Sequence, residues 1–586
     1  GMMFHQGFSV RADVRRLDRG HRAANRASTD QVTGGKVKTV AWKMVFAAKQ
    51  GLACIPMVAA LAILAPLCTR AAPTGAVLGI DFGSDNCVVA IARRKGVDIV
   101  TNEASSRSTP SIVSFGQTQR YLGEAGSTQR MSNLKNTVTG IKTLVGGHMK
   151  DKTFEKQVVK QVLYHLQGDK EGRACVKASL TGKDRVFSQA QVVSMLLSNL
   201  KKIAVADHES EVTDCVIGVP VDWTEEQRNV VSDAAELAGL KCLSLINENV
   251  ATALLYGITK TDLPEDKPRI VCFVDVGYSC MQVSVVAFNK GKLKVLSHAS
   301  DRAFGGREVD ELLFEHFAEE FKAKYKVDAR TEQKASLRLR MQVERLKKTL
   351  SANPPDLETP INVECMMQDT DVSGMYTREQ LEAACAAQGM FDKMAGTCAR
   401  ALELAGVSKE DLAGVEVVGG SSRMPVVRER LRDFFGCNVT QTLNAAESIA
   451  RGASLACAMR SPAFKVREFA ITDWNMHPIK VKYESGDKQC KGEVELERGM
   501  PMPSTKKLSL KTSSPLTLKW EYSDQASLPP CAPQVLAEQH LPLKEVPKPK
   551  GKGAEQPSIK MGVGLTLSGT VSLEGCVTEK EELVPA

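Results

Sequence analysis

The run Ala76-Val-Leu-Gly-Ile-Asp81-Phe82-Gly83-Ser84 decides how this chain is read: five apolar or small residues, then an aspartate, a glycine and a serine. The pattern predicts a buried strand over 76–80 that ends in a tight turn. Nearly two hundred residues later the event recurs, with Ile270-Val-Cys-Phe-Val274 followed by Asp275-Val276-Gly277-Tyr278-Ser279. Two apolar strands that each close on an Asp-x-Gly turn imply a duplicated unit with one phosphate-facing turn per half.

Working outward, short β-rich runs alternate with amphipathic helices, which predicts α/β layering. Thr224-Glu-Glu-Gln227 has the form of a capping box opening a helix that ends at Gly239. A second helix is expected over 247–256, stopped by Gly257, and two longer ones over 307–325 and 332–351. Beyond Pro462 the period changes. Leu516, Leu518, Trp520 and Tyr522 alternate with polar residues, as do Met561, Val563, Leu565 and Leu567, so this part should be antiparallel β with one buried face.

The turn residues suggest a chemistry. Without a Cβ at Gly83 or Gly277, backbone N–H groups can approach a phosphate. Asp81 and Asp275 then stand where a hydrated Mg²⁺ would be held, since that ion prefers carboxylates and keeps waters. Taken alone, either turn is more often an ordinary β-turn. A third glycine turn, Val418-Gly419-Gly420-Ser421-Ser422-Arg423, strengthens the nucleotide reading.

The segments GIDFGSDNC, VDVGYSCMQVSVVAFNKGKLKVL, VVGGSSRMP and SPAFKVREFAITDW together resemble the seventy-kilodalton heat-shock chaperone superfamily, most nearly its large 110-kilodalton exchange-factor branch, over about 77–483. The resemblance implies an actin-like two-lobed ATPase domain followed by a β-sandwich substrate-binding-like domain, with ATP or ADP and Mg²⁺ as cofactors. It places Asp81, Gly83, Ser84 and Asp85 in the first phosphate motif, Asp275, Gly277 and Tyr278 in the second, Glu248 as the cleft carboxylate and Pro220 as the interdomain switch. Asp81, Asp275 and Glu248 are the candidates for catalysis, and the two aspartates for metal. Glu344, Lys347, Lys348 and Ser351 fall on one helical face and match the adenosine contacts, though such spacing also suits a solvated charged stripe. Gly419, Gly420, Ser421 and Arg423 would cover the base. Departures are Ser127, in the segment 122–140 where relatives carry a phosphate-contacting lysine, Cys280 for a threonine, Gln282 for an aspartate, and Ala446 for a carboxylate. They imply at most a weak ATPase.

The resemblance divides the chain into an extension or signal segment 1–75, a nucleotide-binding domain 76–461, a linker 462–475, a β-sandwich 476–578 with a flexible insertion 523–557, and a tail 579–586. The expected function is an ATP-binding chaperone cofactor that exchanges adenyl nucleotide on a partner heat-shock chaperone and holds unfolded polypeptide. A passive holdase and an actin-fold small-molecule kinase remain alternatives.

Composition bounds these readings. Apolar residues at 43% and charged ones at 25% exclude wholesale disorder and a polytopic membrane protein. The net charge of +9 owes much to ten Lys and Arg against three Asp in the first fifty residues, so a nucleic-acid face is not expected. The sixteen cysteines lie singly, many in apolar runs such as those around Cys215 and Cys272, and read as free thiols of a reducing compartment. Residues 51–68 carry no charge and follow Lys49, so a secretory signal beginning near Met44 and an unusual extension both stay open. The cytoplasm is the expected location, with the endoplasmic reticulum lumen as the alternative.

Overall fold

The structure, a computed structural model, describes residues 75–464, 466–486, 490–512, 514–542 and 558–579. The expected signal segment and all but one residue of the tail lie outside them. No helix among the described residues is long and apolar enough to cross a membrane.

Strands β1 (Ala76–Asp81), β2 (Asn86–Arg93) and β3 (Gly96–Ile99) form an antiparallel meander, and β4 (Asp214–Val219) and β5 (Lys241–Asn247) add in parallel on the β1 side, giving the order β5-β4-β1-β2-β3. A second sheet repeats this plan. Strands β6 (Arg269–Val276), β7 (Met281–Asn289) and β8 (Lys292–Asp301) make the meander, while β9 (Gly414–Val418) and β10 (Val439–Thr440) add in parallel on the β6 side. The equivalence extends to single residues. Asp81 pairs with Val88 on one neighbour and Gly218 on the other; Asp275 pairs with Gln282 and Val418. The duplication read from the two turns is therefore present in the topology.

Helices α1 (Ile141–Leu144), α2 (Glu225–Leu237), α3 (Glu248–Thr259), α4 (Gly306–Tyr325), α5 (Gln333–Ala352) and α6 (Ser448–Arg460) position the site. The α2 helix begins at Thr224, whose backbone N–H donates to Gln227 Oε1 at 3.1 Å, and ends before Gly239 at φ 71°. Helices α3 and α6 cross between the sheets in a core with Val77, Val216, Phe273 and Phe288. Their approach is so close that a Cβ on Gly452 would lie 1.8 Å from Ala251 O. Gly257 does not stop α3: its bare Cα receives the Phe469 and Phe288 rings, and the helix runs on to Thr259.

In the C-terminal part, one sheet runs Lys491–Leu496, Ile479–Ser485, Leu516–Tyr522, Val535–Leu541, and another runs Ser504–Lys511, Ser558–Leu565, Val571–Glu579. Both contribute to one core containing Val481, Leu496, Trp520, Val563 and Leu565. The expected alternation holds except at Leu567, which is 45% exposed because its strand has already ended. The insertion expected over 523–557 contains the strand Val535–Leu541, which pairs with Leu516–Tyr522; residues 543–557 lie outside the description. The linker 462–475 contains β11 (Ala470–Trp474), which pairs in parallel with β8 and extends the second sheet.

The C-terminal sheets are fastened to the rest of this unit by polar contacts around α2. Glu225 N donates to Tyr522 Oη at 2.9 Å, Leu245 N to Ser568 Oγ at 3.0 Å, and buried Arg228 to Ser568 O at 3.2 Å. Val571 N donates to Glu225 Oε2 at 3.3 Å, and beside them Asn247 Nδ2 ties the first sheet to β11 through Asp473 Oδ2 at 2.9 Å. The described cysteines are free thiols, with Cys215 and Cys272 buried as expected.

Candidate nucleotide cleft

The two Asp-x-Gly turns face each other across a cavity of about 550 Å³ between the sheets. Strand pairing fixes where they end, and glycine fixes how tightly they bend. A Cβ on Gly83 would lie 1.9 Å from Asn86 O, and one on Gly419, at φ 87°, would lie 2.3 Å from Asp275 Oδ1. By contrast, a Cβ on Gly420 would meet nothing within 4 Å, so that glycine leaves an open wall. The turns touch directly through the Ser84 and Ser279 hydroxyls, 2.6 Å apart, and Ser421 Oγ ties the third glycine turn to Gly277 O at 2.8 Å.

Every residue singled out from the sequence for nucleotide or metal lines this one cavity: Asp81, Gly83, Ser84, Asp85, Glu248, Asp275, Gly277, Tyr278, Glu344, Lys347, Lys348, Ser351, Gly419, Gly420, Ser421 and Arg423. Pro220 does not. It borders a neighbouring cavity, and its carbonyl accepts from Arg228 at 3.5 Å. On α5, Lys348 pairs with Glu344 at 2.5 Å while buried Lys347 pairs with Asp310 at 2.7 Å and donates to Gly306 O, so the charged stripe is half surface pairing and half cleft wall. Ala446 lines the cavity, and the adjoining carboxylate, Glu447, is engaged by Arg107 at 2.7 and 2.9 Å.

Around Asp81, Asp275 and Glu248 the cavity floor is a buried cluster of charges. Burial first, then the Glu248 charge, pushes Asp81 up to about 8, and the same two causes push Asp275 up to about 7. Neither carboxylate accepts a hydrogen bond from the described residues, so each has lone pairs and unmet demand for a cation. Burial opposes the charge on the Lys142 ammonium, yet its ion pair with Glu248 and the nearby carboxylates hold it above the ordinary lysine range. Burial raises the Cys280 thiol well above its usual value, leaving it neutral. Gln282, buried, donates from Nε2 to Glu248 Oε2 at 2.5 Å and accepts from Val221 N at 2.8 Å.

The sequence model of the family described as Hsp70 protein matches residues 77–580. This chain belongs to the Hsp70 protein family. It is 41% identical to Heat shock 70 kDa protein 15 of Arabidopsis thaliana over 516 residues, covering 87% of this chain and 60% of that protein. To Heat shock 70 kDa protein 4 of Homo sapiens it is 41% identical over 500 residues, 85% of this chain and 58% of the other. To a heat shock protein homolog of Saccharomyces cerevisiae it is 39% identical over 518 residues, 86% and 73% of the two chains. The chain thus spans about three fifths of the first two relatives. The resemblance read from the motifs is borne out.

One residue of the cleft in this Hsp70-family chain was not singled out from the sequence. Beside Lys347 and Lys348 the cleft is lined by Lys142 on α1, two residues beyond the segment 122–140, whereas Ser127 lies in the short helix Glu124–Thr128 and does not line the cavity. Sequence reading missed it because the residue follows a left-handed glycine, Gly140 at φ 62°, that turns the chain into the cleft. The signal that could have found it is a single basic residue inside the otherwise apolar or small run Val138-Thr-Gly-Ile-Lys-Thr-Leu-Val.

Proposed function

We propose that this chain binds adenine nucleotide with Mg²⁺ in the cleft and serves as a chaperone cofactor, promoting nucleotide exchange on a partner heat-shock chaperone while its C-terminal β-sandwich holds unfolded polypeptide. On this reading the two like sheets are the lobes of an actin-like ATPase. The observation that carries it is the convergence of the sixteen residues named from the sequence on one cavity between two sheets of like topology. The buried, unpartnered carboxylates of Asp81 and Asp275 fit a hydrated Mg²⁺, which would neutralise the charge that burial now disfavours. When bound, that ion supplies charge neutralisation at the phosphates. The chain's own part is to seat phosphates on the N–H groups of the turns beside Gly83 and Gly277 and to present the base to the wall at Gly420 and Arg423.

Hydrolysis is a separate matter. Lys142 places a positive charge where negative charge develops, which favours a measurable ATPase. Gln282 and neutral Cys280 can neither accept a proton strongly nor anchor metal-bound water, which keeps it slow. The free thiols suit the cytosol. Calorimetry with ATP and Mg²⁺, followed by stopped-flow release of labelled ADP from a partner chaperone, tests the proposal. Binding together with accelerated release supports it. ATP binding without acceleration, with suppression of aggregation alone, replaces it by the holdase.

A further inference from the structure

We propose that the nucleotide cleft has a rear opening through which inorganic phosphate leaves, that an anion subsite in it is built from Arg302 and Arg307, and that the Pro529–Pro530 loop of the C-terminal part closes its outer end. The proposal rests on the nucleotide reading above.

The cleft cavity and a second cavity of about 350 Å³ share three lining residues, Lys142, Ser279 and Cys280. These belong to the phosphate end; Glu344 and Arg423 at the adenosine end do not line the second cavity. The second cavity also reaches Arg302, Arg307, Pro529 and Pro530. A third cavity, of about 330 Å³, shares Asp222, Arg302 and Pro529 with the second, so the path continues to the joint between β11 and the C-terminal sheets.

The two arginines are held in place without being used up. Arg302 donates from Nε to Asp222 Oδ2 at 2.6 Å and from Nη2 to Asp222 O at 2.8 Å. Arg307 donates from Nε and Nη2 to Glu308 Oε1, at 2.9 and 2.6 Å, and reaches Arg302 O at 3.4 Å. Neither Nη1 has a partner among the described residues, and neither is a buried orphan. Each leaves two N–H donors for a visiting anion. The cavity's carboxylates are otherwise engaged: Asp222 by Arg302, Asp151 by Thr153 N at 2.7 Å and Asp301 by Ala303 N at 2.7 Å. Planar guanidinium groups with spare donors match phosphate oxygens. A phosphate moving past Lys142 therefore finds Arg302 on the far side of Cys280, away from the adenosine opening, and Arg307 between that path and a cavity it shares with Asp85, Tyr278 and Glu344. Because the outer wall comes from the C-terminal part, its seating would control phosphate escape while leaving the adenosine opening untouched.

The test uses the intact chain and added inorganic phosphate, so it needs no turnover. ADP affinity is measured by calorimetry with Mg²⁺, with and without phosphate, in wild type, Arg302→Ala and Arg307→Ala, each checked for folding by thermal melting. We expect phosphate to tighten ADP binding in wild type. Each alanine variant should weaken phosphate roughly tenfold, as for loss of one charge-assisted contact, with ADP affinity in its absence unchanged. Pro529→Gly/Pro530→Gly should speed phosphate loss several-fold and leave ADP loss alone. If ADP binds but phosphate has no effect, or both arginine variants behave as wild type, the rear opening is wrong and the nucleotide reading stands. If ADP itself does not bind, both readings fall.

Discussion

The two half-sheets end in the same turn, yet their neighbours give those turns different work. In the first, Asp81 lies opposite Val88, an apolar partner that leaves the carboxylate facing only the cleft. In the second, Asp275 lies opposite Gln282, whose amide grips Glu248 on one side and Val221 N on the other. Val221 adjoins Asp222, whose carbonyl meets His477 of the C-terminal part at 3.0 Å. On the proposed reading the first turn serves the ligand alone, while the second serves the ligand and is also wired to the C-terminal joint. Duplication supplies the geometry, and one pairing position supplies the asymmetry.

The hardest break in that comparison is Lys142→Met, which removes the cation shared by both turns. Hydrolysis should fall by about a hundredfold or more, the usual loss for a single charge-stabilising group. Stability should fall as well, since Glu248 is left buried and unpaired. The double variant Lys142→Met/Glu248→Gln should restore the melting temperature but not the rate. Single-turnover hydrolysis and thermal melting read the two effects separately, and an unchanged rate would remove Lys142 from the chemistry.

Next in size is a pH effect at the joint. Burial pushes Glu225 up to about 7 from its ordinary 4.5, with Arg228 and the Val571 N–H pulling the other way. The folded joint therefore retains a proton that the open form gives up, so its stability falls as pH rises from about 4.5 to about 7 and is level above that. Glu225→Gln should flatten this slope and stabilise the joint at pH 8 by at most about 3 kcal/mol. His477 opposes it: burial pushes the ring down to about 4, so the histidine contributes a loss as pH falls from about 6.5. Melting curves of Glu225→Gln and His477→Asn across pH 4.5 to 8 resolve the two slopes.

What was legible in the sequence follows from the same physics. Strand-end turns could be read because an apolar run, an aspartate and a glycine are all local. The α5 stripe could be read because helical spacing is local too. Lys142 was harder to read, since it reaches the cleft through Gly140 at positive φ and its one local mark is a lone basic residue in the otherwise apolar or small run 138–145. The strand Val535–Leu541 was hidden because its alternation, Val-Leu-Ala-Glu-Gln-His-Leu, is weak and its partner supplies the order. Gly257 misled because a terminator exposed to water becomes a packing notch under Phe469.

A smaller effect should follow from Gln282→Leu. Val221 N loses its acceptor and Glu248 Oε2 its donor, a cost of about 2 kcal/mol for buried groups left unmatched. Hydrogen exchange over 219–222 should quicken. Val88→Ile, at the equivalent position of the first half, should leave that exchange unchanged. Equal responses would mean that the two halves are wired alike.

The smallest effect sharpens how the halves meet. Ser84 and Ser279 touch at 2.6 Å, a direct hydroxyl bridge between the two Asp-x-Gly turns. Both atoms are neutral and Ser279 lies at the cleft surface, so the bond exchanges with water when the cleft opens, and its net worth is about 1 kcal/mol. Ser84→Ala should therefore speed ADP release roughly fivefold by favouring the open cleft. It should leave the melting temperature almost unchanged, since no buried group is orphaned: the Ser279 hydroxyl can turn to water. Ser279→Ala should do the same, and the double variant should do no more than either alone, because all three remove one and the same bond. Additive effects in that cycle would show that each serine acts on the nucleotide separately, and the bridge would then be a by-product of closure and not its latch.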